Sequence, residues 1–363
     1  MKEWVSQQKH WRPYVTSFTL GVLNDGLRDR AITRDLEWGI PVPTEDMDAN
    51  KRIYVWFENV IGYLSATKEW AKKQGDEEAW REFWQNPACR SYYFIGKDNI
   101  FFHTMSWPAT IMAYGDEEGQ PLNLAYHVPA NHFNTVAGLK ASSSRNWAIW
   151  IPDLIGRHDP DSLRYYLCAT MPETADSDFT WTDFVARNNN ELVATWGNLV
   201  NRVLTLTYRN FDGQVPDPGE LDEQSEELLA RVETGLAAAD EHLGACRFRA
   251  GLTTAMGLAQ EANRFLDATA PWKALPDDRP GAARSLYTAL CAINGLKVAL
   301  WPYIPFSCER LHGYLGYDSP LMEQGWKLNR LPVGQRLQEP KPLFSKLEPE
   351  VAEREEERLK ASV

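Results

Sequence analysis

The chain has 363 residues, 44% of them apolar and 24% charged, a balance that fits two folded domains rather than a disordered polymer. Its net charge of −12 argues against general nucleic-acid affinity, while leaving room for a local basic groove that reads one RNA. No apolar run reaches the roughly 18 residues of a membrane span, and the opening Met-Lys-Glu-Trp-Val-Ser lacks the apolar core of a secretory signal.

In chain order, residues 1–27 read as a helical lead-in, and Arg28 to Pro43 as a loop punctuated by Trp, Pro and Gly. Ile53 to Phe57 is a short run of β-formers, which predicts a buried strand, followed by a helix over Ile61 to Lys73. Tyr92 to Ile95 predicts a second buried strand, Asn99 to Ala113 a helix, and Leu122 to Phe133 further strand. This alternation points to an α/β sheet with parallel strands. After Asp159 the spacing becomes helical. Phe179 to Arg209, Gln224 to His242, Arg247 to Asp267 and Pro280 to Trp301 make a bundle, with Gly213 to Gly219 as a Pro/Gly-rich connection. Glu348 to Lys360 is a charged tail expected to be solvated. The five cysteines (89, 168, 246, 291 and 308) form no Cys-x-x-Cys pair. Reduced thiols in a cytoplasmic protein are therefore expected, without a disulfide framework or a zinc site. Fifteen Trp could stack on bases, but their size suits cores more often.

Several residues admit two readings each. Gly96-Lys97-Asp98 follows a predicted strand, where α/β sheets bind ligands and the next helix offers its N-terminal amides to an anion. The same tripeptide also makes an ordinary strand-to-helix turn with a solvated Lys–Asp pair. His103 lies five residues after Asp98, on a nearby helix face, as a substrate contact or a structural histidine. Trp56 and Tyr63 suit either a pocket or a core, and Ser142-Ser143-Ser144 suits any flexible loop.

Order and spacing tie these residues together. Arg30 to Pro43, Tyr54-Val-Trp-Phe-Glu-Asn-Val-Ile-Gly-Tyr63, Phe94-Ile-Gly-Lys-Asp-Asn-Ile-Phe-Phe-His103, Gly138-Leu-Lys-Ala-Ser-Ser-Ser-Arg145 and Asp161-Ser-Leu-Arg-Tyr-Tyr166 occur in that sequence. Asn188 to Arg202 and Ala270-Pro-Trp272 complete the series. Together they resemble the C-terminal part of the methionyl-tRNA synthetase family, class I aminoacyl-tRNA synthetases, over nearly the whole chain. The resemblance implies a partial Rossmann-type parallel sheet within residues 1–170, a helical-bundle anticodon-binding domain at 171–330, and the charged tail at 331–363. It implies methionine–tRNA ligase activity, with ATP (and Mg2+), methionine and the methionine tRNA as ligands, and no DNA or membrane partner. Trp56, Tyr63, Phe102 and His103 match the methionine side-chain pocket, whose aromatic walls suit a polarizable thioether. Asp98 matches the carboxylate that holds the α-ammonium, and Gly96, Lys97 and Asp98 the strip that faces ATP. Lys140, Ser142 and Ser144 match the catalytic Lys-Met-Ser-Lys-Ser loop, and Asn198, Arg202 and Trp272 the residues that read the anticodon.

The sequence also departs from that family. No His-x-Gly-His motif occurs, and no zinc knuckle precedes Arg28. The chain thus resembles a synthetase without the N-terminal half of its catalytic domain. A truncated or split enzyme, served by a separate N-terminal half, is expected; a non-catalytic tRNA-binding or regulatory descendant is the alternative. Ser143 replaces the second loop lysine, a loss on the order of 2–4 kcal/mol if that charge acts fully in the transition state. Glu58-Asn59-Val60 replaces the usual Asp-Ala-Pro, and Asn146 stands where glycine is common.

Overall fold

Asp159, Thr180, Asp222 and Asp278 each turn a side-chain oxygen onto a backbone amide two or three residues on, and each starts a helix. Such local signals set the element order in the computed structural model, which describes residues 1–44, 46–117 and 119–361. The chain packs as two units, residues 1–133 and 134–363.

The first unit opens with helices α1 (Lys2–Gln7) and α2 (Pro13–Asp25). Strands β1 (Thr33–Asp35) and β2 (Lys51–Ile53) pair antiparallel, with Arg34 opposite Arg52. Helices α3 (Val55–Glu58), α4 (Gly62–Gln74) and α5 (Trp80–Trp84) follow. Strand β3 (Ile95–Gly96) then enters a 3₁₀ turn at Lys97–Asn99 and a π-helical segment at Phe102–Ser106, which runs into α6 (Trp107–Glu117). Strand β4 (Ala130–Asn131) pairs parallel with β3, in the register Ile95 to Ala130. The core gathers Trp11, Val15, Trp80, Trp84, Trp107 and Ile111 among its members. Arg12 and Tyr14 donate to the Ala130 carbonyl, so a polar group at the β4 edge is satisfied by side chains rather than by another strand.

In the second unit, β5 (Asn134–Val136) pairs parallel with β6 (Ser177–Phe179) across helices α7 (Ile151–Ile155) and α8 (Pro160–Ala169). Helix α9 (Trp181–Arg187) passes through a π-helical segment, Asn188–Gly197, into α10 (Asn198–Asn210). The bundle continues with α11 (Glu223–Gly244), α12 (Phe248–Thr269), α13 (Pro271–Ala274), α14 (Arg279–Leu300) and α15 (Pro305–Tyr314), and α16 (Glu350–Ala361) ends it. Every residue of α14 from Ser285 to Leu300 is buried, so this helix is the axis around which α11 and α12 pack.

The expected α/β region and helical bundle are both present, with several local corrections. The strand expected at 53–57 ends at Ile53; Phe57 and Glu58 donate instead to the Tyr54 carbonyl and form a helical turn. Of the strand expected over 92–95, only Ile95 joins a ladder, and Phe94 is 60% exposed. Most of 122–133 is irregular, with a bridge at His127 before β4. The charged tail is not solvated: α16 buries Val351, Ala352, Glu355 and Leu359. Glu355 accepts from Arg157 through both oxygens at 2.9 and 2.7 Å and contacts His158 at 3.2 Å. Charge density along the chain carries no sign of that long-range partner.

Candidate functional site

His103 organises the first cluster. It is 3% exposed, on the π-helical turn at Phe102–Ser106. π-helical turns recur at functional sites because the extra residue re-aims the side chains around it. Its Nδ1 lies 2.9 Å from the Asn99 carbonyl, which can only accept, so Nδ1 carries the proton. Nε2 is then the acceptor of the Tyr63 hydroxyl at 2.9 Å. Burial holds the imidazole below its ordinary range, against the opposing effect of the Asn99 bond. The ring is therefore neutral at pH 7, in one defined tautomer.

Aromatic rings wall this histidine. Tyr63 meets Tyr93 edge-on at 5.0 Å, and Tyr93 lies 5.5 Å from His103. The Trp107 indole donates to the Tyr93 hydroxyl at 3.0 Å, fixing that ring from behind. Trp56 stacks on Phe102 with centroids 5.1 Å apart, and the Arg30 guanidinium lies 4.7 Å over the adjacent Phe101 ring. Trp56 and Tyr63 are 36% and 41% exposed, so this apolar wall is open on one side.

Asp98 sits in the 3₁₀ turn just beyond β3. A Cβ on Gly96 would lie 2.7 Å from an Asp98 carboxylate oxygen, so glycine is what lets that side chain fold back over the strand end. The Lys97 ammonium lies 4.4 Å over the Phe133 ring. The cluster thus joins a neutral aromatic wall to an exposed carboxylate at the carboxyl end of a parallel strand.

The serine-rich segment lies in the second unit. Val136 and Leu139 exchange backbone hydrogen bonds of 2.9 and 3.1 Å around Ala137 and Gly138. Lys140 follows, exposed, and Ser142 and Trp147 then close a tight loop through bonds of 2.8 and 3.0 Å. Ser143, Ser144 and Arg145 occupy its exposed tip, with Ser144 Oγ 3.2 Å from Ser142 Oγ. Asn146 has φ 53°, in the left-handed region that glycine enters freely and asparagine tolerates. That conformation is the physical reason glycine suits this position, and it makes Asn146 a compatible replacement.

A third cluster lies on the bundle. The π-helical segment Asn188–Gly197 delivers Asn198 and Arg202 onto one face of α10, four residues apart. Arg202 donates to Asp267 at 2.7 Å and holds its guanidinium 4.8 Å over the Trp272 ring. Trp272 follows Ala270 at φ 38° and is 37% exposed. A half-open indole beside a fixed guanidinium and an exposed amide can take an unstacked base.

The structure thus brings the expected residues together in three groups. It adds Tyr93, Trp107 and Arg30 behind the first and Asp267 beside the third. Arg30 stood in a motif already singled out, whereas the pairing of Asp267 with Arg202 spans 65 positions and has no local signal.

The family model for tRNA synthetases class I (M) matches residues 1–204, and that for the anticodon binding domain of methionyl tRNA ligase matches 215–362. A methionine–tRNA ligase of Chloroflexus aurantiacus is 45% identical over 397 aligned positions, which cover 99% of this chain and 66% of the relative. One of Dehalococcoides mccartyi is 52% identical over 356 positions, 98% of this chain and 63% of the relative. The chain therefore spans just under two thirds of the length of these relatives. The crystal structure of Mycobacterium tuberculosis methionyl-tRNA synthetase bound by methionyl-adenylate shares the fold, with a TM-score of 0.81 at 24% identity. That likeness covers 95% of this chain and 67% of the other. With a family match over more than half its length and close relatives across nearly all of it, the chain belongs to the methionyl-tRNA synthetase family of class I tRNA synthetases.

Proposed function

We propose that this chain serves methionine–tRNA ligation, carrying the methionine-pocket wall, the mobile ATP loop and the anticodon reader of such an enzyme. The observation that carries this reading is the neutral Tyr63–His103 pair inside aromatic rings, one strand end away from Asp98. A thioether is polarizable but uncharged, so it favours aromatic faces and a neutral imidazole over an imidazolium, at roughly 0.3–1.5 kcal/mol per sulfur–aromatic contact. Trp56, Tyr63, Phe102 and His103 then hold the methionine side chain, and Asp98 its ammonium. Gly96, Lys97 and Asp98 are the first unit's residues for ATP, brought with Mg2+, and Lys140, Ser142 and Ser144 are the second unit's residues for its phosphates. The methionine carboxylate attacks the α-phosphate, pyrophosphate leaves, and the terminal adenosine of the methionine tRNA takes the acyl group. Such chemistry depends on positioning and charge stabilisation rather than on a protein nucleophile.

Asn198 and Arg202 address the edges of the anticodon bases while Trp272 stacks on one. Catalysis also draws on the length that the relatives possess beyond what this chain matches, whether continuous with this sequence or supplied as a separate N-terminal half. The exposed apolar residues Leu27, Ile32, Trp38 and Val55 in the first unit fit such a docking role. Among the described residues, no helix is long and apolar enough to cross a membrane, and none of the five cysteines forms a disulfide.

Methionine-dependent ATP–pyrophosphate exchange, with tRNA binding by the wild type and Trp272→Ala, tests the reading. Methionine tRNA binding that falls tenfold or more in the variant supports it. Exchange by this chain, alone or with the remaining length supplied, completes it. Binding without exchange under both conditions would favour a non-catalytic tRNA-binding role.

A further inference from the structure

Lys140 emerges from a turn that is strained and held from one side. Ala137 and Gly138 have φ of 50° and 77°, so the turn from Val136 to Leu139 has two successive left-handed residues, the geometry of a type I′ hairpin. That geometry favours Asn-Gly or Gly-Gly, because a Cβ at the first central position crowds the following carbonyl. Here that position is alanine. No Cβ clash would arise at Gly138 itself, where nothing lies within 4 Å, so the constraint on the turn is conformational.

Strand β6 compensates. Phe179 accepts the Ala137 amide through its carbonyl at 3.0 Å. The Asp178 carboxylate takes the Gly138 amide through both oxygens, at 2.9 and 3.0 Å, and also accepts from the Thr135 hydroxyl. Asp178 is exposed, and an exposed strand carboxylate ordinarily faces water alone. The far end of the loop returns to the same place, since the Trp147 indole donates to the Val136 carbonyl at 3.1 Å. Both stems of the loop that carries Lys140, Ser142 and Ser144 therefore converge on a turn that Asp178 pins.

We propose that Asp178 is a positioning residue, a latch that holds the strained Val136–Leu139 turn and so sets where Lys140 stands for ATP. The latch is a property of the turn, while its use for ATP rests on the ligase reading above. A charged carboxylate sharing one amide and one hydroxyl holds more strongly than a neutral acceptor. The ranking wild type, Asp178→Asn, Asp178→Ala follows.

Hydrogen–deuterium exchange on the full chain, with ATP and Mg2+ titration of the same proteins, tests the proposal. Asp178→Ala should speed exchange across residues 136–147 at least tenfold and leave α12 unchanged, with Asp178→Asn between. Adding Ala137→Gly to Asp178→Ala should restore part of the protection, since glycine adopts the turn without help. ATP affinity should fall at least threefold in Asp178→Ala and less in Asp178→Asn. Exchange at 136–147 within twofold of wild type in Asp178→Ala would overturn the latch. So would equal loosening of the whole second unit. A loosened loop with ATP affinity unchanged would overturn its positioning role. A wild-type chain that does not bind ATP would count against the ligase reading, and the exchange rates would still decide the latch.

Discussion

The two units differ in how far their own elements complete a core. In residues 134–363 two helices of 22 residues, α11 and α12, pack around a third of the same length, α14, whose middle and end are wholly buried. In residues 1–133 a smaller core forms around Trp11, Trp80, Trp84 and Trp107, while other large apolar side chains lie open: Trp38 is 91% exposed, Phe94 60% and Val55 52%. A helix satisfies its own backbone and needs only one apolar face covered, so a bundle completes itself from local pattern. A parallel strand depends on neighbours for hydrogen bonds and on cover for both faces. With two residues each in β3 and β4, the first unit keeps the side chains of such a sheet but little of its ladder.

The sharpest test of this contrast is in the bundle. Leu290→Ala, at a fully buried site on α14, should cost about 3 kcal/mol in urea denaturation; a loss below about 1 kcal/mol would mean that the bundle core is looser than its burial implies. Next is the α16 contact. Burial pushes the Glu355 carboxyl up, but Arg157 and His158 outweigh it and hold it below the ordinary glutamate range. A group depressed in the folded state stabilises above its unfolded range, and that contribution is lost as pH falls through its folded value. Glu355→Ala should therefore cost about 2 kcal/mol at pH 7, with the difference from wild type vanishing in acid.

Lys297 gives a test of opposite sign. It is fully buried on α14, donates to Asn294 and lies 4.6 Å from the Tyr317 ring. Burial lowers its ammonium to about 7 from 10.5. Above that value the folded state has released a proton that the unfolded chain keeps, so stability rises with pH. Wild type should gain about 2 kcal/mol on Lys297→Met between pH 7 and pH 9, read from unfolding midpoints at each pH; parallel curves would show that the buried lysine stays charged. The smallest effect belongs to the first unit. Trp38→Ser should change stability by less than about 0.5 kcal/mol, because the ring is already in water. A larger loss would break the contrast between the units.

Much of the candidate site was legible because the residues proposed for it are local in sequence. Asp98 and His103 share one strand-to-helix passage, Lys140, Ser142 and Ser144 share one loop, and Asn198 and Arg202 share one helix face. Helix positions in the bundle followed from apolar spacing and from caps such as Asp222 and Asp278. The β-formers at 53–57 predict a strand, but composition sets only a preference and pairing decides. The ladder with β1 stops at Ile53, and the next residues turn helical.

The amino-acid sequence by itself determined the bundle, the order of the motifs and the family, since periodicity, capping and short motifs act within a few residues. Tertiary structure alone decided which nitrogen of His103 carries its proton, that Glu355 is buried against Arg157, and that Asp178 faces the turn before Lys140. Those contacts join residues brought near by folding, and hydrogen bonds act only over about 3 Å, so nothing along the chain announces them.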